Sequence, residues 1–429
     1  MRNHLLSLRT GPRFGWRRAR GVDLIRSLLV SSVVAAISPT TGWGASVLDP
    51  PPALGHTFDL KEFGAVCDGV HDDTKAIQAW LDKLAANVRL SASPGVCLFS
   101  APLRAPYANA WALVGSGPYS TVFKYVGGAA DVDLLTINDT GHGGFRGGYL
   151  SGFRIMSETR MTGGAALHVH GAFESFFSSL IADGLGGNGN LFHGLWFDGV
   201  GFASLDGFVG FGRGDGIRVN GALGGTADLY VTRARLKGFA IGLHVGGGIG
   251  GVACDMSDFN QNGVNLQIDN AIVHEPNREV NQGRNCAFDA AVTGDNVFIN
   301  DELSNGGTVD LGGWIASSFR ANGVNIQRWR NGDVEITGDK LYNNCLDGLF
   351  VQDPTTHVFI GQTVAINKNG NAEVGHGACQ KLPARGFGVN AAEPTDRVVS
   401  AGDRPWNNSA GPFGPNVHIL GSGRDGKKN

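Results

Sequence analysis

The sequence lacks an excess of basic residues: its 35 Lys and Arg are balanced by 38 Asp and Glu, and the formal net charge is -3. Nucleic acids and anionic membranes bind proteins through positive surfaces, so neither is expected as a partner. The apolar run at 27–37 is too short to cross a bilayer. No Gly-x-Gly-x-x-Gly motif stands between a strand and a helix, which argues against a nucleotide site.

Cysteine is scarce and widely spaced, with six residues, no Cys-x-x-Cys pair and no closely spaced histidine. This spacing disfavours a zinc site, and no protein metal site is assigned. Cys67 precedes and Cys97 follows a helix predicted below at 74–85, and the turn before that helix should meet the strand that follows it, so we expect a disulfide between them. Two further pairs remain open, with buried free thiols as the alternative: Cys254 with Cys286, and Cys345 with Cys379.

Glycine, in contrast, is abundant, with 67 residues in a chain of 429. Aromatic and β-branched residues also remain frequent, so the composition indicates many tight turns between short strands rather than disorder. Elongated β architectures can keep this much sequence in one unit. We therefore expect a single domain over 57–420.

The first 45 residues are predicted to be an export signal, because a basic stretch with six arginines at 2–20 precedes the apolar run and small residues follow it at 42–45. The arginine pair at 17–18 is typical of a twin-arginine signal; general secretion and an uncleaved anchor are the alternatives. Residues 46–56, with three consecutive prolines, are predicted to be a linker, and 421–429 a polar tail. The protein is therefore expected to be secreted or periplasmic.

The spacing of apolar residues in the segment 57–85 changes from that of a strand to that of a helix. Residues 57–63 alternate like a short strand, and Asp72 and Asp73 then supply a carboxylate that can cap a helix. From residue 74 to residue 85 the apolar side chains fall on one stripe of a helix. The glycine-rich tract that follows contains almost no second helix. The stripe should therefore cover the open end of a stacked sheet, which would otherwise recruit other chains.

Two motifs within 57–126 resemble a known superfamily. FGAVCDGVHDDTKAIQAWL resembles the signature F-G-A-x-G-D-G-x-x-D-D-T-x-A-I-Q of the pectate-lyase-type β-helix proteins, with Cys67 where that signature usually has Gly. SPGVCLFSAPLRAPYANAWALVGSGPYSTVFKYV resembles the strand and turn that follow it in polygalacturonases, rhamnogalacturonases, certain lyases and phage tailspikes. The resemblance implies an all-β, right-handed, single-stranded parallel β-helix (a solenoid) with a short N-terminal capping helix. It supplies no catalytic residue.

Beyond about residue 130 the chain repeats a short strand, a turn rich in Gly, Asn and Asp, and a second short strand. Matching strands recur about every 22–24 residues, the period of a parallel β-helix coil, in which stacking creates the core. GVNLQ at 263–267 and GVNIQ at 323–327 match almost completely. Asparagines at the bends are interpreted as structural: Asn260, Asn262, Asn322, Asn343, Asn344 and Asn367. Four glycine-rich stretches are predicted to be loops: 141–148, 184–189, 207–216 and 246–251.

Outward residues of stacked coils form columns with a spacing of about 4.8 Å, which suits a polymer ligand. We take three pairs as inward: Leu195 with Phe197, Leu229 with Val231, and Val252 with Cys254. The residues that follow would share one outward column: Asp198, Thr232, Asp255 and, further along, Asp289. Carboxylates one or two coils apart bracket the separations used by retaining and inverting glycosidases.

This column predicts catalytic roles for Asp198, Asp255 and Asp289, with Asp255 central because like-charge repulsion from Asp258 would perturb its pKa. The predicted substrate-binding residues are Trp196, Tyr230, Thr232 and Arg235. Stretches 207–216 and 269–284 would wall the cleft. Solvated acids at coil turns are the alternative interpretation.

A second set resembles glycoside hydrolase family 28, the polygalacturonases. Asn331-Gly332-Asp333, Asp353 and Gly375-His376-Gly377 follow one another at that family's spacing. Asp353 stands alone, however, and no Arg-x-Lys follows His376. Losing one acid removes either the general acid or the base that activates water.

Elimination is the other chemistry of this fold. It requires a base at C5 of a uronate and a cation that neutralises the uronate carboxylate. Six arginines are candidates for the cation: Arg218, Arg233, Arg235, Arg320, Arg328 and Arg330. No cofactor is expected for a hydrolase, whereas a lyase could bind calcium through Asp255 and Asp258.

The sequence thus predicts a secreted carbohydrate-active protein, monomeric or trimeric, that cleaves an acidic or branched polysaccharide as a hydrolase or a lyase. Two alternatives remain. One is a non-catalytic β-helix that binds glycan or serves as a surface or adhesion element. The other is a phage-type spike depolymerase, against which the export signal counts.

Overall fold

The computed structural model describes residues 55–139, 143–183, 189–223, 228–361, 364–370, 386–400 and 408–420. These residues belong to one compact unit. The predicted export signal, nearly all of the predicted linker and the polar tail at 421–429 lie outside the described residues. Short parallel strands dominate the described chain, together with helix α1 (Thr74–Leu81) and a 3-10 turn at Leu60–Phe63.

The strands of the first half are, in chain order, β1 (His56–Asp59), β2 (Asp68–Asp72), β3 (Val88–Ala92), β4 (Gly95–Phe99), β5 (Leu103–Ala105), β6 (Trp111–Gly115), β7 (Thr121–Tyr125), β8 (Leu135–Ile137), β9 (Phe145–Arg146), β10 (Gly148–Ser157), β11 (Ala165–Phe173), β12 (Phe176–Asp183), β13 (His193–Gly201), β14 (Ala203–Asp206), β15 (Val209–Phe211), β16 (Asp215–Asn220) and β17 (Asp228–Thr232). The strands of the second half are β18 (Arg235–Lys237), β19 (Ile241–Val245), β20 (Gly251–Asp255), β21 (Asp258–Asn260), β22 (Val264–Asp269), β23 (Glu279–Asp289), β24 (Val297–Asn305), β25 (Thr308–Ala316), β26 (Val324–Arg330), β27 (Asp333–Tyr342), β28 (Leu349–Val351), β29 (His357–Ile360), β30 (Ala365–Asn367), β31 (Phe387–Ala391), β32 (Thr395–Ser400), β33 (Gly411–Phe413) and β34 (Val417–Leu420).

Successive strands step around three faces of a solenoid of about 11 turns. Face 1 is a 13-stranded parallel sheet that contains β11, β13, β16, β19 and β22. Faces 2 and 3 together form a 21-stranded sheet. Face 2 includes β14, β17 and β20, and face 3 includes β15, β18 and β21. The long strands β10, β12, β23, β25 and β27 run through both faces, so they join the two ladders.

The core fills the inside of the coils, because alternate side chains of every strand point inward. The three inward pairs predicted from the sequence are confirmed, since all six side chains are at most 1% exposed. One coil cannot bury this apolar stripe by itself, so each coil depends on its neighbours. The fold predicted from the sequence is therefore confirmed.

Buried asparagines line the bend between faces 3 and 1. The amide of Asn296 donates to Asn344 Oδ1 at 3.2 Å, and that of Asn344 donates to Asn369 Oδ1 at 3.0 Å. Asn262 donates to the Leu236 carbonyl at 3.1 Å. Because each amide satisfies groups on a neighbouring coil, the structural interpretation is confirmed for Asn262, Asn322 and Asn344. Asn343 adopts the left-handed backbone expected at a bend, with φ 61°, and for Asn260 and Asn367 the interpretation stays a prediction.

Two of the four predicted loops are wrong in the described residues. The stretch 207–216 contains β15 and the start of β16, and 141–148 contains β9. The loops were predicted because glycine is frequent in these stretches. A glycine within or beside a short strand can instead allow the next coil to pack closely. Gly216, for example, would bring a Cβ atom within 2.7 Å of the Gly242 carbonyl oxygen. A glycine-rich stretch of this chain can therefore form strands.

Helix α1 covers the first coil but is shorter than predicted, because it ends at Leu81 rather than at residue 85. Its apolar stripe, Ile77, Trp80 and Leu81, is buried against core residues that include Phe99 and Leu113. No helix in the described part of the chain is long and apolar enough to traverse a lipid bilayer.

The two carboxylates before the helix, those of Asp72 and Asp73, accept hydrogen bonds from different backbone groups. Asp72 accepts a hydrogen bond from the first helical N–H, that of Thr74, at 2.9 Å. Asp73 instead accepts from the backbone N–H groups of Val66 and Cys67, at 2.7 and 2.9 Å. The cap therefore comes from Asp72, while Asp73 fixes the turn that carries Cys67.

Disulfides join Cys67 to Cys97 and Cys254 to Cys286, with Cα atoms 3.9 and 6.4 Å apart. The first pair was expected from the sequence and is confirmed, and the second open pair is formed as well. Cys379, the possible partner of Cys345, lies outside the described residues.

Replacing Ile77 with Asp should unfold the N-terminal end or cause aggregation, because the charge would be buried without a partner at a cost of several kcal/mol. Chemical denaturation and light scattering would measure the effect. Ala79→Asp is the matched control, since Ala79 is exposed on the same helix. Equal stability of the two variants would show that the helix does not seal the coil.

Candidate functional site

The residues of the predicted catalytic column do not lie on one face of the coil, so that prediction is wrong. Asp198 lies on β13 of face 1, in register with His170 and Asn220. Thr232 and Asp255 are in register with each other, but on β17 and β20 of face 2. Inward and outward residues alternate in the same way on every face, so the pattern alone does not reveal the face. The predicted column also left out the strands β14, β15 and β16, which lie between β13 and β17.

Asp289 lies on face 3, next to Asn260 and Ala316 of the neighbouring strands. Burial raises the pKa of its carboxyl group, and Asp258 adds to that rise. The three predicted catalytic acids therefore face three different sides of the coil, and the roles of Asp255 and Asp289 stay predictions. Asp255 and Asp258 belong to no cluster of three ligand side chains among the described residues, so calcium binding also stays a prediction.

The predicted substrate-binding residues are separated in the same way. Trp196 lies on β13 of face 1, Tyr230 and Thr232 lie on β17 of face 2, and Arg235 lies on β18 of face 3. A single glycan strand along one face would therefore meet only part of this set.

The set that resembles family 28 is not assembled by the described residues. Asp333 lies on face 2, with its carboxylate 3.2 Å from His357 Nδ1. Asp353 accepts hydrogen bonds from the backbone N–H groups of Trp329 and Thr355, at 3.0 and 2.9 Å, so it stabilises a turn. The Gly375-His376-Gly377 motif lies outside the described residues.

A different group of polar side chains converges on face 1, along β11, β13, β16, β19 and β22. One outward column in strand register contains His168, Trp196, Arg218, His244 and Gln267. A second column contains His170, Asp198 and Asn220. Hydrogen bonds add Asp133, His193, Asp215 and Asp269 to the group. These twelve residues are called the histidine strip below.

His168 is held between two carboxylates. Its Nδ1 lies 2.7 Å from Asp133 Oδ2, and its Nε2 lies 2.8 Å from Asp198 Oδ2. Burial alone would lower the pKa of His168, but the two hydrogen bonds outweigh it and raise the pKa to about 9. At neutral pH His168 is therefore an imidazolium that donates from both nitrogens.

Asp198 accepts hydrogen bonds from three side chains. His168 Nε2 and His170 Nδ1, the latter at 3.2 Å, both contact Oδ2, while the Asn220 amide donates to Oδ1 at 2.8 Å. Burial would raise the pKa of Asp198, but the hydrogen bonds from His168 and His170 hold it well below its usual range. Asp198 therefore remains a carboxylate and positions both histidines.

His170 is the more accessible histidine of this pair, with 24% of its side chain exposed. Because its Nδ1 faces the Asp198 carboxylate, the proton of the neutral ring is held on Nδ1 and the lone pair on Nε2. A histidine oriented by a carboxylate in this way can act as a general base.

Trp196 offers no free ring face to a sugar. His168 stacks on the indole ring with centroids 4.4 Å apart and planes 12° apart. The Arg218 guanidinium, from the strand on the other side, lies 4.6 Å from the ring centroid. Trp196 therefore acts as a spacer between two cations, stabilised by cation–π contact.

A second carboxylate-bound histidine lies further along the strip. His244 Nδ1 is 3.0 Å from Asp215 Oδ2, and its Nε2 is 3.1 Å from Asp269 Oδ1. Burial would lower the pKa of His244, yet the two carboxylates raise it to about 9. Asp215 also accepts from Arg218 Nε at 2.5 Å. Burial would raise the pKa of Asp215, but His244 and then Arg218 lower it to about 2.

His193 has the opposite character. Its Nδ1 accepts the backbone N–H of Asp215 at 2.9 Å. Burial, followed by the positive charge of Arg218, lowers the pKa of His193 to about 4. The ring is therefore neutral at physiological pH, its remaining proton is on Nε2, and it can only donate there.

No known protein family matches the sequence, and no curated protein is significantly similar to it. The A-module of mannuronan C-5 epimerase AlgE4 from Azotobacter vinelandii matches the structure with a TM-score of 0.50 and 14% identity, covering 86% of this chain and 100% of that module. The AlgE6 A-module from the same organism gives a TM-score of 0.50 and 17% identity, covering 84% and 97%. This chain is a right-handed parallel β-helix protein. A family 28 exopolygalacturonase from Yersinia enterocolitica matches at 10% identity with a TM-score of 0.48, covering 85% of this β-helix and 77% of that chain.

The sequence interpretation of this β-helix missed the histidines. A signal was present, because His168 and His170 flank the inward Val169 within one strand and so both point outward. Their partner Asp133 precedes His168 by a whole coil, and no short motif joins them. Only stacking reveals that contact.

The stability of this β-helix should fall as the pH rises from about 6.5 towards about 9, because folded His244 keeps a proton that the unfolded chain releases. The groups that face its ring are Asp215, Asp269, Arg218 and His193. Urea unfolding at several pH values should give a shallower decline for His244→Gln than for the wild type. Equal slopes for the two proteins would contradict the assigned charge of His244.

Proposed function

We propose that this β-helix acts on an acidic polysaccharide by removing the proton at C5 of a uronate residue, in an elimination or an epimerisation. The observation that carries the proposal is the Asp198–His170 pair, a carboxylate-oriented and accessible imidazole, on the same strip as the cations Arg218 and His168. A base beside fixed positive charge is what this proton transfer requires.

The geometry of the strip favours a polymer as substrate. Eleven of its twelve side chains come from five adjacent strands, which at about 4.8 Å per strand extend over roughly 20 Å. Several sugar residues would fit along that length. The two A-modules that share this fold are named as mannuronan C-5 epimerases. Those names, together with the positive charges of the strip, support a polyuronate as the class of polymer.

The charge state of the strip argues against hydrolysis by a pair of carboxyl groups. That mechanism needs one protonated acid at the working pH. Hydrogen bonds and charges instead lower the pKa of every acid in the strip despite their burial: Asp133, Asp198, Asp215 and Asp269. None of them is therefore suited to protonate a glycosidic oxygen, whereas all of them are suited to orient histidines and Arg218.

The proposed roles follow from these contacts. Arg218, anchored through Nε on Asp215, pairs its terminal nitrogens with the uronate carboxylate and makes the C5 proton more acidic. His170 Nε2 accepts that proton, and Asp198 stabilises the imidazolium that forms. The electron pair left on C5 then either expels the oxygen on C4, which takes a proton from water and leaves a C4–C5 double bond, or takes a proton from water on the opposite face, giving the C5 epimer.

We also propose an oxidising, extracellular or periplasmic location. The two disulfides whose cysteines are all described join buried residues, and such bonds form and persist in secreted proteins. The predicted export signal agrees with this location.

A polysaccharide panel tests the proposal. The purified protein is incubated with polyuronates, mixed acidic polymers and neutral polymers, and three quantities are followed: reducing ends, ultraviolet absorbance of unsaturated uronate, and C5 configuration by NMR. Unsaturated product or C5 inversion on a polyuronate is expected. New reducing ends without either signal would favour hydrolysis and overturn the proposal, and binding without any product would favour the non-catalytic alternative.

A further inference from the structure

The histidine strip also contains a compact set of atoms that are common metal ligands. His168 Nε2, His170 Nδ1 and Asp198 Oδ2 all lie within 4.8 Å of one another. The two nitrogens are 2.8 and 3.2 Å from the same carboxylate oxygen. Ligand bonds of about 2.0–2.2 Å to one ion require ligand atoms roughly 3–3.5 Å apart, so little movement would bring all three onto a metal. Binding displaces the Nε2 proton of His168, which is released to solvent.

We propose that these three side chains bind a divalent transition-metal ion. The choice of metal class follows from the ligand types, because two imidazole nitrogens and one carboxylate oxygen suit Zn²⁺, Co²⁺ or Ni²⁺. Calcium and magnesium prefer sets made of oxygen alone. Three protein ligands leave coordination positions for water or a small anion, as in open metal sites.

The surroundings of the three ligands are those of a built metal site. Asp133 Oδ2 lies 2.7 Å from His168 Nδ1, the nitrogen that faces away from the site. A carboxylate in this position fixes the tautomer that presents Nε2 to a metal. Asn220 holds Asp198 through its other oxygen at 2.8 Å, so Oδ2 remains directed at the two histidines. His168 is 6% exposed, which limits competition from water on that side.

The metal and the proposed substrate chemistry exclude each other. A metal on His170 Nδ1 leaves the ring proton on Nε2, so Nε2 could no longer accept the C5 proton. Bound metal should therefore inhibit turnover; this consequence rests on the proposed function, whereas metal binding itself does not.

Metal binding is tested without any substrate. Full-length, tag-free protein is stripped with a chelator and titrated with Co²⁺, followed by visible absorption, and with Zn²⁺, followed by calorimetry. One ion per chain is expected, with the ligand-field bands of nitrogen and oxygen coordination. His170→Asn and Asp198→Asn should each weaken binding at least about tenfold, while both variants keep the wild-type far-ultraviolet circular dichroism.

His357→Asn is the matched control, because His357 also lies beside an aspartate but on face 2. It should bind Co²⁺ as the wild type does. The inference is overturned if the wild type takes up no stoichiometric metal, or if His170→Asn binds with unchanged affinity. Neither result bears on the C5 chemistry, which the polysaccharide panel tests separately.

Discussion

Replacing His170 with Asn should lower turnover of a polyuronate by about 100-fold or more, the loss that is typical when a general base is removed. Asn retains a side-chain donor for Asp198 but has no nitrogen that can accept the C5 proton. Because His170 is partly exposed, the variant should remain folded and nearly as stable as the wild type. Initial rates at saturating polymer, with the unsaturated or epimerised product quantified, measure the effect.

Two comparisons make this result specific. His357→Asn removes a similar histidine from another face and should leave the rate unchanged. Asp255→Asn tests the site predicted from the sequence, since Asp255 lies on face 2, away from the strip. A rate that falls with Asp255→Asn but not with His170→Asn would move the active site to face 2.

Replacing Asp215 with Ala should destabilise the folded protein by about 3–5 kcal/mol, because it removes one partner from a buried charge network. Asp215 is 4% exposed and is bound by both His244 and Arg218. Without it, the Arg218 guanidinium loses the anchor for its Nε, and His244 retains only Asp269. The free energy of unfolding, from urea denaturation at neutral pH, measures the loss.

A surface ion pair provides the control for this measurement. Asp139 contacts Arg104 at 2.9 Å, but the side chains are 33% and 63% exposed. Asp139→Ala should therefore cost less than about 1 kcal/mol. If Asp215→Ala costs no more than Asp139→Ala, the strip is not held together by its charges.

Much of the fold could be predicted from the sequence because its signals are local. The alternation around Leu195 and Phe197 identified inward residues, and the motif at 57–85 identified the capping helix. The helix end was placed too late because its apolar stripe continues past Leu81, and Leu84 is still buried without being helical.

The candidate site could be predicted only in part. Asp198 lies on the outside of a middle coil, as predicted, but it was grouped with Asp255, which belongs to another face. Alternation specifies inside and outside but not which of three faces a strand occupies, and one hidden strand within 207–216 changes the count. The contacts between Asp133, His168 and Asp198 join three coils, so no local pattern contains them.

The exchange of the C5 proton tests the central claim most directly. A polyuronate is incubated with the wild type, His170→Asn or Arg218→Gln in deuterated water, and deuterium at C5 and C4–C5 unsaturation are followed by NMR. The account predicts deuterium at C5, or unsaturated product, for the wild type, and a loss of both for the two variants. Polymer shortened by the wild type with neither C5 deuterium nor unsaturation would contradict it, as would full exchange by His170→Asn.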